Sequence, residues 1–456
     1  MTEPEPDVDV NNLCPVRAAT RPGGGRGVGD LGWRRRPRLA WAHRRAGSPT
    51  IDRATLLRRD ADDPLAHLRD HWEVPQDLVH LDGNSLGPPA RTWPDRIARE
   101  HAAWRDDQVG GWNSAGWVEL ATRVAGRLAP LLGARADEVA VTDSTTVNLF
   151  QVAVAARRLR PDRPVILTED GNFPTDRYVL SGVAEVTGGE VRSVPRDQLL
   201  DHGDDGVGVV AVSHVDYRTG HRHDARTVTA AVHDAGALMV WDLAHSTGAV
   251  HVDWASWGAD LGVGCTYKFL NGGPGAPGYV VASRAVAAEA IPPVRGWFGH
   301  AAPFEFDPSW SPAHGAARFR NGTPPIMSLA GVDEALAGFE GVDMRDLEGR
   351  AGDLTDTFLS RCDEVLGDRV EVVSPRDRAR RGAQVSIRHP DAYPVMQALI
   401  DRRVLGDHRP PDLLRFGFAP ALVRHVDAWD AVEVLAEVLD TDAHRNPRYA
   451  TRHTVI

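Results

Sequence analysis

The chain of 456 residues is long enough for two or three domains with a large hydrophobic core. Hydrophobic residues make up 42% of the chain and charged residues 25%, which is typical of globular proteins. The 52 basic and 63 acidic residues give a net charge of −11, which argues against a general nucleic-acid-binding protein. No apolar segment approaches the roughly 20 residues of a membrane-spanning helix.

The three cysteines, Cys14, Cys265 and Cys362, are widely spaced and odd in number. They form neither a disulfide framework nor a zinc-binding pattern, so they predict a reducing compartment and no metal site. The N-terminus lacks the basic and then apolar layout of a signal peptide. We therefore expect a cytoplasmic protein with neither a membrane nor a nucleic acid as its partner.

Lys268 is the only lysine, and the other 51 basic residues are arginines. Such a bias is typical of GC-rich genomes, where arginine replaces surface lysine. A lysine whose amine must attack a carbonyl group cannot be replaced in this way, because a guanidinium group stays charged and is poorly nucleophilic. The count therefore favours a chemical role for Lys268, and the alternative is that one lysine remained by chance.

Residues 1–50 differ in composition from the rest of the chain. They contain glycine and proline clusters, nine arginines and five acidic residues, so they carry +4 and leave −15 for the remainder. This composition predicts a disordered basic tail. Contact with nucleic acid or a membrane is one interpretation, and a functionless extension is the favoured one.

From residue 51 the pattern becomes globular. Helices are predicted at Arg53–Trp72, Pro94–Arg105 and Glu119–Leu132, with an extended segment at Leu81–Leu86. Short apolar strands then alternate with helices, which favours a mostly parallel sheet covered on both faces. The predicted strands are Glu138–Thr142, Val165–Thr168, Val207–Ser213, Ala237–Asp242, Leu261–Cys265 and Gly278–Ala282. The predicted helices between them are Thr146–Leu159, Asp176–Ser181 and Ala225–Ala235.

The pattern changes again at about residue 328. A long helix is predicted at Gly331–Arg361, followed by a smaller α/β region. Its predicted strands are Val370–Ser374, Ala383–Arg388 and Leu413–Phe418, and its helices are Ala392–Arg403 and Val426–Leu439. The resulting division is a tail at 1–50, a helical segment at 51–80 that packs with the small domain, a large domain at 81–327, a small domain at 328–445 and a tail at 446–456.

Unusual residues follow the predicted carboxyl ends of strands, where open α/β sheets bind their ligands. The apolar run 237–241 ends at Asp242, with His245 three residues later. A second run, 261–267, ends at Lys268, where an amine beside an apolar strand end loses solvation. An aspartate that only caps a turn would have the same pattern as Asp242.

A third feature is the start of the helix after the strand 138–142. Hydroxyl groups and free N–H groups at Thr145 and Thr146 are typical of a phosphate site, although an ordinary helix cap has the same pattern. A carboxylate, a lone lysine and a phosphate site together favour pyridoxal 5′-phosphate. The lysine would form a Schiff base and the carboxylate would keep the pyridine nitrogen protonated. Phe173 is a candidate for an aromatic side chain that covers the cofactor ring. Its sequence context is equally compatible with a place in the hydrophobic core.

Nine motifs carry a resemblance to a known family. They are LDGNSLG at 81–87, WNSAGW at 112–117, TTVNL at 145–149, FPTD at 173–176, DLAH at 242–245, YK at 267–268, GWFGH at 296–300, TPPI at 323–326 and LRFGFAP at 414–420. They resemble the kynureninases, which are fold-type I pyridoxal-phosphate enzymes, and GWFGH and LRFGFAP are the most specific. The resemblance covers residues 80–439. It implies a large domain with a mostly parallel seven-stranded sheet, a smaller C-terminal α/β domain, and a homodimer with active sites at its interface.

The resemblance also implies roles for individual residues. Lys268 holds the cofactor and then moves the Cα proton, Asp242 pairs with the pyridine nitrogen, and Tyr267 is the candidate proton donor. The implied cofactor-binding residues are Thr145, Thr146, Phe173, Asp176, Ser213, Asp242, His245, Tyr267, Lys268, Trp297 and Thr323. The implied substrate-binding residues are Ser85, Trp112 and Arg415, and a guanidinium group such as that of Arg415 suits the α-carboxylate.

The implied reaction is hydrolytic cleavage of the Cβ–Cγ bond of L-kynurenine to anthranilate and L-alanine. In family members that favour 3-hydroxykynurenine, the two positions that contact the aryl ring are a His and an Asn. Trp112 and Thr323 stand there in this chain, which predicts weaker activity on the hydroxylated substrate. Tryptophan catabolism, NAD biosynthesis and secondary metabolism all remain open as the pathway.

Other functions remain as alternatives. Another fold-type I enzyme, a cysteine desulfurase or a small aminotransferase, would share Asp242 and Lys268. A desulfurase needs a mobile nucleophilic cysteine after the lysine, and Cys362 stands there within a predicted helix. A catalytically inactive binding protein is disfavoured, because Asp242, His245, Lys268 and Arg415 are all present.

Overall fold

The computed structural model describes residues 52–453. The predicted basic tail at 1–50 and the last residues of the predicted tail at 446–456 lie outside the described residues. The described residues cluster as a single unit, so the boundary between residues 327 and 328 stays a prediction.

Three β-sheets lie within the described residues. The largest has seven strands, in the order Val139–Val141 (β2), Gly278–Ala282 (β8), Leu261–Cys265 (β7), Leu238–Asp242 (β6), Val207–Ser213 (β5), Val165–Glu169 (β3) and Glu190–Val194 (β4). Only the pairings of β8 are antiparallel. The predicted seven-stranded, mostly parallel sheet is therefore confirmed. The strands are β1 (Val79–His80), β2 (Val139–Val141), β3 (Val165–Glu169), β4 (Glu190–Val194), β5 (Val207–Ser213), β6 (Leu238–Asp242), β7 (Leu261–Cys265), β8 (Gly278–Ala282), β9 (Glu371–Val372), β10 (Gln384–Arg388), β11 (Val404–Leu405), β12 (Asp407–Arg409) and β13 (Leu413–Gly417).

Helices cover both faces of the large sheet, and this explains why its inner strands are apolar along their whole length. No helix among the described residues is long and apolar enough to cross a membrane. The α-helices are α1 (Arg53–Asp62), α2 (Trp93–Asp107), α3 (Gly111–Ser114), α4 (Trp117–Leu128), α5 (Thr145–Leu159), α6 (Pro174–Thr187), α7 (Ala225–Asp234), α8 (Trp254–Trp257), α9 (Arg284–Glu289), α10 (Ile326–Ala337), α11 (Met344–Val365), α12 (Ala392–Asp401) and α13 (His425–Asp440).

The prediction of one long helix at Gly331–Arg361 is wrong, because α10 ends at Ala337 and α11 begins at Met344. A side chain at Gly338 would lie 2.6 Å from the ring of His71, so the chain approaches its neighbour too closely for any other residue. Gly341 has a φ of +76°, which glycine adopts without strain. These two glycines let the chain turn between the helices.

The predicted helix at Arg53–Trp72 is also shorter than expected. α1 ends at Asp62 because Asp63 precedes Pro64 and adopts an extended conformation, and a 3-10 helix follows at Ala66–His71. The Arg53 guanidinium pairs with Asp430 of α13 at 2.7 Å. The N-terminal segment therefore packs against the C-terminal part of the chain.

A four-stranded antiparallel sheet, in the order β12-β13-β10-β9, brings distant segments together near the carboxyl edge of the large sheet. Its register places Asp407 of β12 opposite Arg415 of β13. The loop after β1 joins this sheet through a bridge between Asp82 and Gly417. This arrangement positions the LDGNSLG loop beside Arg415.

Candidate active site

A cavity of about 230 Å³ lies at the carboxyl edge of the large sheet, where β3, β5, β6 and β7 end. It is lined by the last residues of β5 and β6, by residues that follow β5, β6 and β7, and by the starts of α5 and α6. Those that had been predicted are Thr145, Thr146, Phe173, Asp176, Ser213, Asp242, His245, Tyr267 and Lys268. Residues separated by up to 123 positions in sequence therefore face one space.

Lys268 and Asp242 reach this cavity from neighbouring strands. Asp242 is the last residue of β6 and pairs in register with Val263 of β7, five residues before Lys268. The Lys268 Nζ atom lies 5.8 Å from the centre of the Tyr267 ring. The only lysine amine in the sequence thus shares a cavity with the carboxylate at the end of the neighbouring strand, and the two groups interact through their charges.

Asp242, which is partly exposed to the cavity, forms a carboxyl pair with the buried Asp176. The Ala244 N–H donates to Asp242 Oδ1 at 2.8 Å, and the Ser213 hydroxyl oxygen lies 3.4 Å from Asp242 Oδ2. Burial raises the pKa of both carboxyls, and the charge of Asp242 raises the pKa of Asp176 well above its ordinary range. Asp176 therefore holds the proton of the pair, and Asp242 carries the negative charge opposite Lys268.

Asn172 holds this pair in place, a role that the sequence did not reveal. Its Oδ1 accepts hydrogen bonds from the Ser213 hydroxyl at 2.6 Å and from the Ser213 N–H at 3.2 Å. Its Nδ2 donates to Asp176 Oδ2 at 3.3 Å. The buried amide thus joins the end of β5 to the first turn of α6. Its place next to Phe173 was a signal, but an amide in a loop has too many other uses to be assigned.

The first turn of α5 leaves backbone N–H groups facing the cavity. The Ser144 hydroxyl accepts from the Val147 N–H, and the earlier amides of a helix have no acceptor within the helix itself. A side chain at Gly278 would lie 3.0 Å from the Thr145 nitrogen, so this glycine leaves room beside the helix start. Such an N-terminus binds a phosphate group well.

Tyr267 and His245 are neutral at physiological pH. Burial raises the pKa of Tyr267, and the neighbouring Asp242 carboxylate raises it further. Burial and the positive charge of Lys268 lower the pKa of His245 well below its usual range. The Nδ1 atom of His245 is buried and has no hydrogen-bond partner among the described residues. A ligand in the cavity can supply that partner.

A second cavity, of about 700 Å³, adjoins the first, because Tyr267 lines both. Ser85, Thr323 and Phe298 also line this larger cavity. Thr323 had been predicted to bind the cofactor, and the structure places it in the larger space instead of beside Lys268. Tyr267 therefore lies between the amine and a space large enough for an aromatic substrate.

The remaining predicted residues lie outside both cavities. The Trp112 ring packs 6.0 Å from each of the rings of Trp117 and Phe298. Trp297 packs against Phe298 and is 39% exposed. Arg415 is buried and pairs with Asp407, so it faces neither cavity directly. Asp407 and Tyr217, which accept its hydrogen bonds, are further residues that the sequence analysis did not single out.

No cluster of three or more metal-ligating side chains occurs in the described part of the chain. Cys265 and Cys362 are free and buried. Cys362 lies within α11, and burial raises the pKa of its thiol.

Comparison with known proteins identifies the family. A kynureninase from Burkholderia mallei (strain SAVP1) is 46% identical over 416 residues, which cover 88% of this chain and 99% of that protein. A kynureninase from Pseudomonas fluorescens is 43% identical over 417 residues with the same coverage. Residues 347–435 match the kynureninase C-terminal domain. The chain belongs to the kynureninase family.

Solved structures agree on the fold. The apo structure of a cysteine desulfurase from Thermococcus onnurineus NA1 has a TM-score of 0.69, with 20% identity, and covers 82% of this chain and 97% of that chain. The predicted fold-type I architecture is thereby confirmed. As a kynureninase family member, the chain is a pyridoxal-phosphate enzyme, as predicted.

The residues around the smaller cavity fit pyridoxal 5′-phosphate. Lys268 supplies the only lysine amine, and the Asp242–Asp176 pair supplies a negative charge for a protonated ring nitrogen. The start of α5 supplies N–H groups for a phosphate. The unpartnered Nδ1 of His245 is the kind of buried polar atom that a bound group satisfies.

Proposed function

We propose that this chain hydrolyses the Cβ–Cγ bond of L-kynurenine to give anthranilate and L-alanine. The observation that carries the proposal is the cavity that joins Lys268 to the Asp242–Asp176 pair, with the larger cavity on the other side of Tyr267. The smaller space suits the cofactor and the larger one suits the aryl group of the substrate. Kynurenine is the substrate that the family name indicates.

Substrate binding is divided between the two cavities in this proposal. Arg415 lines neither cavity, but it donates to Ser85 of the larger cavity and to the carbonyl of Tyr217, a residue of the smaller one. In this proposal it binds the α-carboxylate from there, because a guanidinium group pairs well with a carboxylate. Thr323 and the aromatic wall of Phe298 contact the aryl ring. Phe173 lines the smaller cavity, with its ring 5.0 Å from that of Tyr217, and would contact the ring of the bound cofactor. These contacts orient the Cα proton toward Lys268.

Two proton transfers are assigned to residues of this chain. The Lys268 Nζ atom accepts the Cα proton of the substrate. The bound cofactor supplies an electron sink for the carbanions of the reaction. Water adds to the γ-carbonyl, and the Tyr267 hydroxyl, which its raised pKa keeps protonated, donates or relays a proton as the Cβ–Cγ bond breaks. Asp242 keeps its negative charge throughout.

The proposed activity is tested by offering the purified holoenzyme L-kynurenine, L-cysteine, or an amino acid with a keto acid. We expect anthranilate from kynurenine, no sulfide from cysteine and no transamination. A Cys362→Ala variant should keep its kynurenine activity within about twofold, because this thiol is buried in α11 and lines neither cavity. Sulfide release that the variant loses would instead establish a desulfurase.

We expect kynurenine to be preferred over 3-hydroxykynurenine. The Thr323 side chain is short and the Trp112 ring packs near Phe298, so a ring hydroxyl would lose its water without gaining a full partner. The cost of about 1–3 kcal/mol corresponds to a preference in kcat/KM of roughly tenfold or more. Competition between the two substrates measures it. A wild type that prefers the hydroxylated substrate, or a ratio left unmoved by Trp112→His with Thr323→Asn, would contradict this assignment.

We further propose a homodimer with shared active sites. Trp297 packs with Phe304 and Phe306, and these three rings stay 39%, 51% and 75% exposed. A cluster of exposed aromatic rings beside a cavity is typical of an interface. Light scattering should give twice the mass of one chain.

The Phe306→Glu variant should dissociate the proposed dimer and lower its activity. Val186→Glu is the matched control, because it places the same charge at another exposed apolar position in α6. A wild-type monomer that still turns over kynurenine would disprove the shared site.

We also propose that the protein acts in the cytoplasm, without nucleic-acid or membrane partners. The free thiols of Cys265 and Cys362 and the acidic composition of the chain support this location. Cell fractionation tests it, and recovery of the protein in a secreted or membrane fraction would contradict it.

A further inference from the structure

The Arg415 guanidinium is fully buried, and another carboxylate already holds it. Its Nε atom donates to Asp407 Oδ1 at 2.7 Å, and its Nη2 atom donates to Asp407 Oδ2 and, at 3.0 Å, to the Ser85 hydroxyl. Its Nη1 atom donates to the Tyr217 carbonyl at 2.7 Å. A single N–H on Nη1 is therefore left without a partner among the described residues. Any substrate carboxylate must enter a site that already contains one carboxylate.

The protein supplies a second carboxyl to this cluster, that of Asp82, which interacts with Asp407, Arg415 and Arg409. Its Oδ1 atom is buried and has no hydrogen-bond partner among the described residues. Burial and the neighbouring Asp407 carboxylate raise its pKa to about 7, against the opposing charges of Arg415 and Arg409. Asp82 is thus a buried acid that can change its charge near neutral pH.

The charges of the cluster balance only while the substrate is absent. Arg409 and Arg415 carry two positive charges, and Asp407 and ionised Asp82 carry two negative charges. A substrate carboxylate adds a further negative charge to a buried site, which is costly unless a proton comes with it. Asp82 is the member of the cluster whose ionised form has an unpaired buried oxygen.

The other titratable groups around the cluster do not offer this proton site. His80, at the end of β1, and His245, after β6, have pKa values lowered by burial, so both are neutral above pH 6.5. The positive charges of Arg415 and Arg409 lower the pKa of His245 further. The pKa of Asp407 is lowered, despite its burial, by its pairing with Arg415. Lys268 faces the cofactor cavity.

We propose that Asp82 is a positioning residue that takes up a proton from solvent when a carboxylate binds to Arg415, while Asp407 holds the guanidinium group in orientation. This inference rests on the proposed function, because it assumes that Arg415 binds the substrate α-carboxylate. The coupling makes carboxylate binding weaken as the pH rises above 7. The bond-breaking step does not involve Asp82.

The test uses 3-benzoylpropionate, which carries the carboxylate and the γ-ketone of the substrate but no amine that could react with the cofactor. Calorimetric titration of the holoenzyme in two buffers of different ionisation enthalpy gives both Kd and the number of protons taken up. For the wild type we expect Kd to rise about tenfold between pH 7 and pH 8.5, with an uptake approaching one proton. The proton uptake is measured on the wild-type protein, so this part of the test does not depend on a variant.

The Asp82→Asn variant should bind the probe with a Kd that varies by less than about twofold over this range, and without proton uptake. Asp205→Asn, at a fully exposed position, is the control and should behave as the wild type does. In Asp407→Asn, the loss of the neighbouring charge should move the midpoint of proton uptake to lower pH.

A wild type that binds the probe without proton uptake, or that does not bind it at any pH, would overturn the inference. So would an Asp82→Asn variant that still takes up a proton. These results differ from a failure of the proposed function, in which the probe binds with proton uptake but kynurenine is not cleaved.

Discussion

Lys268→Ala is expected to abolish the visible absorption of the holoenzyme and to lower kcat for kynurenine by about 10³-fold or more. The reason is that Lys268 supplies the only lysine amine of the chain, at a cavity that also holds the Asp242 carboxylate. Without it the cofactor has no lysine partner, and the Cα proton has no base. The measurements are an absorption spectrum after reconstitution with pyridoxal 5′-phosphate and single-turnover kinetics.

The Lys268→Arg variant tests whether the positive charge of Lys268 is sufficient, because arginine keeps that charge near Asp242 but cannot form a Schiff base. We expect it to fail as completely as the alanine variant. A spectrum that survives either substitution would show that the cofactor is not linked at Lys268, and the assignment of the site would be lost.

Asp242→Asn is expected to lower kcat by about 10²–10³-fold while the protein still retains most of its cofactor. An amide carries no negative charge to stabilise a protonated ring nitrogen. We therefore expect the cofactor to lose more of its capacity to accept electrons than of its affinity for the protein. The hydrogen bond from the Ala244 N–H to Asp242 Oδ1 fixes this carboxylate at the end of β6. Cofactor content and kcat are measured on the same preparation.

Asp176→Asn is the matched control for Asp242. The raised pKa of Asp176 means that this carboxyl is already protonated, so an amide of the same shape should cost less than about tenfold in kcat. If the two variants lose activity equally, the charge is shared by the pair and does not reside on Asp242. If Asp176→Asn is the worse variant, the roles are reversed.

Most of the large sheet could be predicted from sequence, because its inner strands are uninterrupted apolar runs. The predicted bounds Val207–Ser213, Leu261–Cys265 and Gly278–Ala282 agree with the structure. β4 was not predicted, since this edge strand, Glu190–Val194, is partly exposed and polar. Its place in the sheet depends on pairing with β3, which local sequence does not reveal.

The candidate site could be predicted where chemistry is local to a strand end. Asp242 and Lys268 each end an apolar run, and nine of the predicted residues line one cavity. Asp407 could not be found in this way, because β12 is a three-residue strand of polar residues and its partner Arg415 is set by antiparallel register. Asp82 lies in the LDGNSLG motif, but its burial beside Asp407 depends on packing between distant segments.

The positions of Trp112 and Thr323 in the folded chain could not be predicted from the sequence. Their positions in motifs predicted contact with the ligand, yet the structure places Trp112 against Trp117 and Phe298, and Thr323 in the larger cavity. The shape of that cavity depends on how α3, α4 and the segment around Phe298 pack together. The substrate preference therefore needs its own measurement.

The most direct test of the account is product analysis in ¹⁸O-labelled water. The holoenzyme is incubated with L-kynurenine, and the products are identified by mass spectrometry. Because hydrolysis adds water to the γ-carbonyl before the Cβ–Cγ bond breaks, we predict equal amounts of L-alanine and of anthranilate that carries solvent oxygen in its carboxylate. Unchanged kynurenine, or a product in which the Cβ–Cγ bond is intact, would contradict it.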